Sequence, residues 1–377
     1  MATPSLSLVL CARNDEYMGN SRWRLETTLN YICAQVARLG RPDAVEIVVA
    51  DWGSDLPLRD ALALDPLAAR IVSFVTVPPE VARRAQQDSP FAEVIAINVA
   101  ARRARGEYIG RIDQDTLVGR HFLRQFLDWV ETGGPAVRAP LEGALWFSCR
   151  RSIPYRFAVR GPSFECVAHL VRWCGRWLAI DRGTPFYRGG VGIWLLHRDL
   201  WDASGGYDER MIYMNDMEID MATRLMTRYP IIDLGPLVRH DFYHLDHYHP
   251  RGPRASSAHR RVNTPIPRED LGLRPSGDAW GLAAAAFDVG PAVWCRPVVR
   301  PWPAAVAAAP SFVALVLWTS LQSGVDRIWY KAIPQFRHRW TRRAAIAWRA
   351  LTGQPLTQWP GLLRKLWMER PSAKADS

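Results

Sequence analysis

The stretch Glu107-Tyr108-Ile109-Gly110-Arg111-Ile112-Asp113-Gln114-Asp115 decides the fold, because a short apolar run ends in two acids. The run predicts a buried strand over residues 108–112. Side chains alternate along a strand, so Asp113 and Asp115 point to the same side where that strand ends. Their carboxylates suit a hydrated divalent cation, which also binds phosphates. The stretch therefore predicts a metal site at a strand end, and a polar turn is the simpler alternative.

The first 120 residues alternate between strand and helix patterns. Apolar runs predict strands at 5–12, 44–50, 70–77 and 108–112, and helical spacing predicts helices at 22–39 and 91–105. This alternation implies a Rossmann-like, mostly parallel sheet flanked by helices. Ligands bind beyond the carboxyl ends of such strands. The polar groups that follow these strands are Arg13-Asn14-Asp15, Asp51 and Asp113-Gln114-Asp115.

Composition places the chain among globular proteins. Its 377 residues are 48% hydrophobic, which is ample for one large domain or two ordinary ones. The six cysteines are scattered and form no C-x-x-C pair, so we expect a reduced, cytoplasmic protein without disulfides or a thiolate zinc site. The N-terminus does not resemble a signal peptide. The most apolar stretch, 304–321, is interrupted by Pro310, so we expect no transmembrane span.

The positive charge is concentrated near the C-terminus. Residues 281–377 hold 13 Arg and Lys against 4 Asp and Glu, and eight of the 17 Trp. Amphipathic spacing predicts a helix over 325–351. Basic residues with Trp suit an anionic membrane surface, and a helical cap on the rest of the protein is an equal alternative. Nucleic acid also binds basic surfaces, but we do not expect it as a partner.

Five motifs, in order, resemble those of the family 2 glycosyltransferases with the GT-A fold. They are Ala12-Arg13-Asn14-Asp15, Asp51-Trp52-Gly53-Ser54-Asp55, Asp113-Gln114-Asp115, Gly205-Gly206-Tyr207-Asp208-Glu209 and Met217-Glu218-Ile219-Asp220-Met221-Ala222-Thr223-Arg224-Leu225. The resemblance covers residues 5–250. We therefore expect a GT-A domain at 1–250, a Pro- and Arg-rich linker or loop at 251–279, and a basic, Trp-rich helical extension at 280–377.

The resemblance also implies roles for the polar strand ends. Ala12, Arg13 and Asp15 would line a nucleotide pocket, and Asp51 would contact the base. Asp113 would lie near the ribose or sugar. Asp115, the second acid of the Asp-x-Asp (DXD) motif, would bind Mn²⁺ or Mg²⁺, which bridges the diphosphate of the donor.

The general base of such an enzyme would come from the start of the helix at 214–226. The family usually has Glu-Asp where this chain has Met217-Glu218. Alignment on Arg224 places Glu218 at the position of the base, with Asp216 as a competitor. The simpler alternative is an exposed helix start whose acids favour the helix dipole.

Four of the nine histidines fall within ten residues, 240–249. Imidazole is a good ligand for Mn²⁺ or Zn²⁺. In the family that the chain resembles, a histidine after the acceptor helix completes the metal shell, which makes His244 and His247 the candidates, with His244 favoured. A zinc hydrolase is an alternative, but the segment lacks the His-Glu-x-x-His pattern. A polar loop is another.

The resemblance implies an inverting, metal-dependent hexosyltransferase. It would move a sugar from a nucleotide-sugar donor, expected to be UDP-linked, to a glycan or lipid-linked acceptor in polysaccharide or glycoconjugate synthesis. We expect a cytoplasmic protein that can bind peripherally to the inner face of the membrane. One alternative is a nucleotidyltransferase, although residues 11–18 lack its Gly-rich basic loop. The other is an inactive nucleotide-binding protein of the same fold.

Overall fold

The structure is a computed structural model that describes residues 3–181, 190–213, 217–247, 263, 275, 277–296 and 321. Its strands are β1 (Leu6–Ala12), β2 (Val45–Trp52), β3 (Val72–Val77), β4 (Tyr108–Arg111), β5 (Thr116–Val118), β6 (Leu145–Cys149), β7 (Arg151–Ile153), β8 (Val191–His197), β9 (Ile231–Asp233), β10 (Phe242–Leu245) and β11 (Asp288–Pro291). Its α-helices are α1 (Ser21–Leu39), α2 (Leu58–Ala61), α3 (Ala68–Ile71), α4 (Pro79–Gln86), α5 (Glu93–Arg103), α6 (Arg120–Thr132), α7 (Pro135–Glu142), α8 (Tyr155–Ala158), α9 (Phe164–Cys174), α10 (Arg198–Ser204) and α11 (Met217–Leu225).

The main sheet has eight strands in the order β11-β3-β2-β1-β4-β8-β6-β9. Strands β1 to β4 are parallel to one another, while β8 and β11 run antiparallel to their neighbours. The predicted fold class, a mostly parallel sheet flanked by helices, is confirmed. All the strands and helices predicted in the first 112 residues are present, with ends shifted by a few residues.

The sheet is buried on both faces, which explains why its strands appear in the sequence as continuous apolar runs. All seven residues of β1 are buried. On one face, Leu8 and Leu10 pack in a cluster that includes Leu25 and Leu29 of α1. On the other face, Val9 belongs to a second cluster that includes residues of α5, α10 and α11. The two clusters fix the sheet between helical layers and so fix where its strands end.

The described residues form a second sheet of three strands in the order β5-β10-β7, and β5 follows β4 along the chain. Strand β10 pairs antiparallel with β5 and parallel with β7. A third apolar cluster, with Leu117, Leu245 and residues of α9, fixes this small sheet. Since β5 begins directly after Asp115, the small sheet carries β10 to the predicted metal site.

Residues 280–296, at the start of the predicted C-terminal extension, lie against the main sheet. Residues 288–291 form an edge strand and not a helix, pairing antiparallel with β3. Two arginines of α5 hold the preceding segment: Arg102 donates to the Trp280 carbonyl at 3.1 Å and Arg103 to the Gly281 carbonyl at 2.9 Å. Near the strand, Arg59 pairs with Asp288 at 2.6 Å.

Several predictions concern residues outside the described part of the chain. They include Asp216, all but five residues of the predicted linker at 251–279, the apolar stretch 304–321 apart from its last residue, and the helix at 325–351. Among the described helices, none combines the length and the apolar character that crossing a membrane would need.

Candidate active site

The two acids of the Asp-x-Asp motif lie where β4 leaves the main sheet. Strand β4 lies beside β1, with Arg111 opposite Val9. From Asp115 the chain enters β5, and the pairing of β5 with β10 sets His244 opposite Thr116. The backbone N–H of Leu245 donates to the Asp115 carbonyl at 2.9 Å. The register of the small sheet therefore brings His244 next to Asp115, although the two are far apart in sequence.

Asp115, His244 and His247 form a compact cluster. The Asp115 Oδ1 lies 3.4 Å from His244 Nε2, and the Oδ2 lies 3.2 Å from His247 Nε2. One ligand atom from each residue lies within 4.8 Å of the others. The structure thus brings together all three predicted metal ligands.

The cluster has the properties of a metal site. Asp115 Oδ1 and His244 Nε2 are both buried and have no hydrogen-bond partner among the described residues. Such orphaned atoms are costly unless something satisfies them. One carboxylate and two imidazoles suit a divalent transition-metal cation, of which Mn²⁺ is one, better than they suit Mg²⁺. The donor set therefore fits the expected cation.

The protonation states also favour metal binding. Burial alone raises the pKa of Asp115, but the imidazoles of His244 and His247 outweigh it and hold the pKa well below its usual range. Burial, followed by the positive charge of Arg150, lowers the pKa of His244. An ionised carboxylate beside a neutral imidazole is the form in which these side chains bind a cation.

Arg24 is a site residue that the sequence analysis missed. It lies in α1, and its side chain is only 1% exposed. Its guanidinium pairs with Asp115 Oδ2 and also donates to the Tyr17 carbonyl at 2.5 Å and the Gly19 carbonyl at 3.3 Å. Arg24 therefore partly neutralises Asp115 while leaving Oδ1 free for another ligand.

Asp113 lies between two other arginines. Its Oδ1 is 2.7 Å from Arg111 Nη2, and its Oδ2 pairs with Arg150, which follows β6. Burial raises the pKa of Asp113, but the positive charges of Arg111 and Arg150 lower it by a larger amount, so the net shift is downward. Asp113 is thus an ionised, well-fixed group near the cluster of Asp115, His244 and His247.

The predicted base, Glu218, reaches the same region from the first turn of α11. Its side chain is 15% exposed, and its Oε1 lies 3.1 Å from Arg111 Nη1. Burial raises the pKa of Glu218, and Arg111 only partly offsets this effect. The nearby Asp220 instead pairs with Arg224 at 2.8 Å, within the helix. Of the described acids in this helix, Glu218 is therefore the one that faces Asp113 through a shared arginine.

The predicted nucleotide-binding residues lie at the ends of β1 and β2. Ala12 is opposite Asp51 in the sheet register. Asp51 is fully buried and accepts hydrogen bonds from Ser54 Oγ and, at 2.7 Å, from the Leu58 backbone N–H. Arg13 donates to Asp15 at 2.7 Å. These contacts hold the loops that follow both strands, and contact with a nucleotide stays a prediction.

Comparison with known proteins gives a fold-level likeness only. No family model matches the sequence, and no curated protein matches it. Among solved structures, the chain is similar to S. aureus TarS 1–349, at 14% identity over 64% of this chain and a TM-score of 0.37, and it spans only 60% of that fragment. It is also similar to the catalytic domain of Drosophila beta1,4-galactosyltransferase 7, solved with xylobiose, at 14% identity over 72% of this chain and 83% of the other, with a TM-score of 0.35.

A further structure, TarS 1–349 in complex with UDP-GlcNAc, aligns over 40% of this chain and 35% of the other at 15% identity, with a TM-score of 0.26. These neighbours are GT-A-type glycosyltransferases, the class that the sequence motifs resemble. No residue role follows from this similarity.

Proposed function

We propose that the chain is an inverting, metal-dependent glycosyltransferase of the family 2 type. It transfers a sugar from a nucleotide-sugar donor, UDP-linked, to the hydroxyl of a glycan or lipid-linked acceptor in polysaccharide or glycoconjugate synthesis. The observation that carries this proposal is the buried cluster of Asp115, His244 and His247, with orphaned ligand atoms at a strand end where such sheets bind ligands.

The proposed site has a donor side and an acceptor side. Asp115, His244 and His247 would hold Mn²⁺ or Mg²⁺, which when bound supplies positive charge against the diphosphate of the donor. Asp113 faces the sugar or ribose. The loops that Asp15 and Asp51 hold line the nucleotide pocket.

The proposed reaction needs one base. Glu218 accepts the proton of the acceptor hydroxyl as its oxygen attacks C1 of the sugar, on the face opposite the diphosphate. The bond from C1 to the diphosphate oxygen breaks, and its electron pair leaves with the nucleoside diphosphate. Inversion follows from this single displacement. Asp216 is the competing base in the proposal.

The basic residues of 280–377 would hold the enzyme at an anionic membrane surface, on the cytoplasmic side, near a lipid-linked acceptor. Binding to vesicles with and without anionic lipid tests this part of the proposal separately.

The central experiment combines binding and turnover. Nucleoside diphosphates are screened by thermal shift with and without MnCl₂, and release of nucleoside diphosphate from sugar donors is then measured. We expect UDP to raise the melting temperature in Mn²⁺ and not in EDTA, because a ligand stabilises the state that binds it.

Two variants separate the roles. Asp115→Asn should lose the Mn²⁺-dependent shift and at least about 100-fold in turnover, and Glu218→Gln should keep UDP binding while losing about 10²–10⁴-fold. Asp199→Asn, at a side chain that is 87% exposed, is the matched control. Full turnover by Asp115→Asn would overturn the proposed metal role. Nucleotide binding by the wild type without any donor turnover would indicate an inactive binding protein.

A further inference from the structure

Arg111 is a buried cation that contacts three acids. It is the last residue of β4, and its side chain is 3% exposed. Its Nη2 lies 2.7 Å from both Glu93 Oε1 and Asp113 Oδ1, and its Nη1 lies 3.1 Å from Glu218 Oε1. The three acids come from different places: the first turn of α5, the loop after β4, and the first turn of α11.

The environment of Arg111 is otherwise that of a core. Ile109, two residues earlier and so on the same face of β4, belongs to the apolar cluster beneath α5 and α11. Buried ion clusters are weak stabilisers, since well-packed apolar residues often do as well or better. Stability alone therefore gives little reason for an arginine here.

The contacts of Arg111 differ in kind. The bond to Glu93 is a well-aligned hydrogen bond, whereas Nη1, which faces Glu218, is buried and makes no aligned hydrogen bond among the described residues. Arg111 thus holds Glu218 by charge and not by an aligned hydrogen bond from Nη1. A carboxylate held in this way can accept a proton from an incoming hydroxyl.

We propose that Arg111 is a positioning residue that places a positive charge beside Glu218 and fixes it relative to Asp113, so that the base and the donor side are aligned by one guanidinium. This inference rests on the proposed function. Glu93 anchors the guanidinium at Nη2, the nitrogen that also contacts Asp113, which makes α5 part of the support of the site.

The charges around Glu218 determine its pKa, and so the pH dependence that the inference predicts. The groups that face it are Arg111 and Asp113 from the β4 segment, Arg150 after β6, Glu93 of α5 and the Tyr207 phenol. Burial raises the pKa of Glu218, and Arg111 is the strongest of the opposing influences. Loss of Arg111 therefore leaves a base that stays protonated to higher pH.

The test compares Arg111→Met and Arg111→Lys with the wild type. We measure kcat for release of UDP from UDP-sugars, with water as acceptor, from pH 5 to pH 10, and the Kd of UDP with Mn²⁺ by calorimetry. In Arg111→Met, the acidic limb of kcat should move up by about one to three pH units, the shift that a removed neighbouring charge produces. Activity should recover at high pH, UDP affinity should change less than threefold, and Arg111→Lys should keep the limb near that of the wild type.

If Arg111→Met does not fold, the double variant Arg111→Met with Glu93→Gln replaces it, because it removes one acid together with the cation. An equal loss of kcat at every pH, or an unchanged profile, would overturn the inference and leave the proposed function standing. A wild-type protein that binds UDP and Mn²⁺ but releases no UDP from any sugar donor would overturn the proposed function, and the inference with it.

Discussion

Replacing Arg24 with methionine tests how the Asp115 carboxylate divides its charge between a guanidinium and a metal ion. The two side chains of this ion pair are 1% and 4% exposed. Methionine fills the space of the aliphatic stem of arginine but carries no charge. In the absence of metal, the variant leaves a buried carboxylate without its cation.

The size of the effect follows from this burial. Removing one partner of a buried ion pair costs about 3–5 kcal/mol. At roughly 2 °C per kcal/mol for a large domain, the melting temperature of the metal-free variant should fall by about 6–10 °C. Two backbone carbonyls, those of Tyr17 and Gly19, lose donors as well.

The same change should strengthen metal binding. A unit positive charge within about 5 Å of a divalent ion repels it by several kcal/mol, even at an effective dielectric constant of about 20. Without Arg24, we therefore expect the Kd for Mn²⁺ to fall by at least about tenfold, which corresponds to about 1.4 kcal/mol. Saturating Mn²⁺ should restore much of the lost melting temperature.

The assay is calorimetric melting in EDTA and in a series of MnCl₂ concentrations, with a direct titration of Mn²⁺. Arg38→Met is the matched control, since Arg38 is an exposed residue in the last turn of the same helix and its loss should cost at most about 1 kcal/mol. The reasoning would be refuted if Arg24→Met had the same melting temperature as the wild type in EDTA and bound Mn²⁺ no more tightly.

Three further predictions concern the framework of the site. Gly106→Ala places a methyl group 2.5 Å from a backbone nitrogen of β1, so urea denaturation should show that the free energy of unfolding falls by about 1–3 kcal/mol. Gly134→Ala is the control, because its added methyl meets no described atom within 4 Å. Asn98→Ala removes the acceptor, 2.9 Å away, of the buried Tyr207 N–H, and the same assay should show a loss of about 1–3 kcal/mol. Burial raises the pKa of Glu93 from 4.5 to about 7, so its charged form is disfavoured in the folded state and the wild type should lose stability as pH rises through that interval. Melting temperatures measured from pH 5 to pH 8 should show a smaller loss in Glu93→Gln.

Each of these has a clear contrary result. Equal stability of Gly106→Ala and Gly134→Ala would mean that β4 can shift away from β1 without cost. An Asn98→Ala variant as stable as the wild type would show that the Tyr207 N–H finds another acceptor. Parallel pH curves for Glu93→Gln and the wild type would mean that Glu93 is ionised throughout.

The sequence predicts the central sheet well, because a strand buried on both faces must be a continuous apolar run. The strand predicted at 5–12 is present as Leu6–Ala12, and the acids at 113 and 115 do follow β4. The density of histidines at 240–249 indicated a candidate metal site, and the family resemblance selected His244 and His247 within it. Their position beside Asp115 was not predictable, because it depends on the register of β10 against β5.

Arg24, Arg150 and Glu93 were missed for a common reason. Each acquires its role from a partner distant in sequence, and a single charged residue next to an apolar stripe looks like a solvated one. Arg24 immediately precedes Leu25, a buried apolar residue of the helix predicted at 22–39. The edge strand β11 was missed because Asp288-Val289-Gly290-Pro291 has little strand propensity.

The position of β11 has a practical consequence for dividing the chain. A protein shortened to residues 1–250, the limits suggested by the motifs, would strip the cover from β3 and leave its backbone N–H and C=O groups open along one side. Exposed edge strands of this kind can pair with the same strand of another molecule, which favours aggregation. A soluble fragment should therefore retain the chain through Arg296, whose N–H still donates to the Leu64 carbonyl at 2.8 Å.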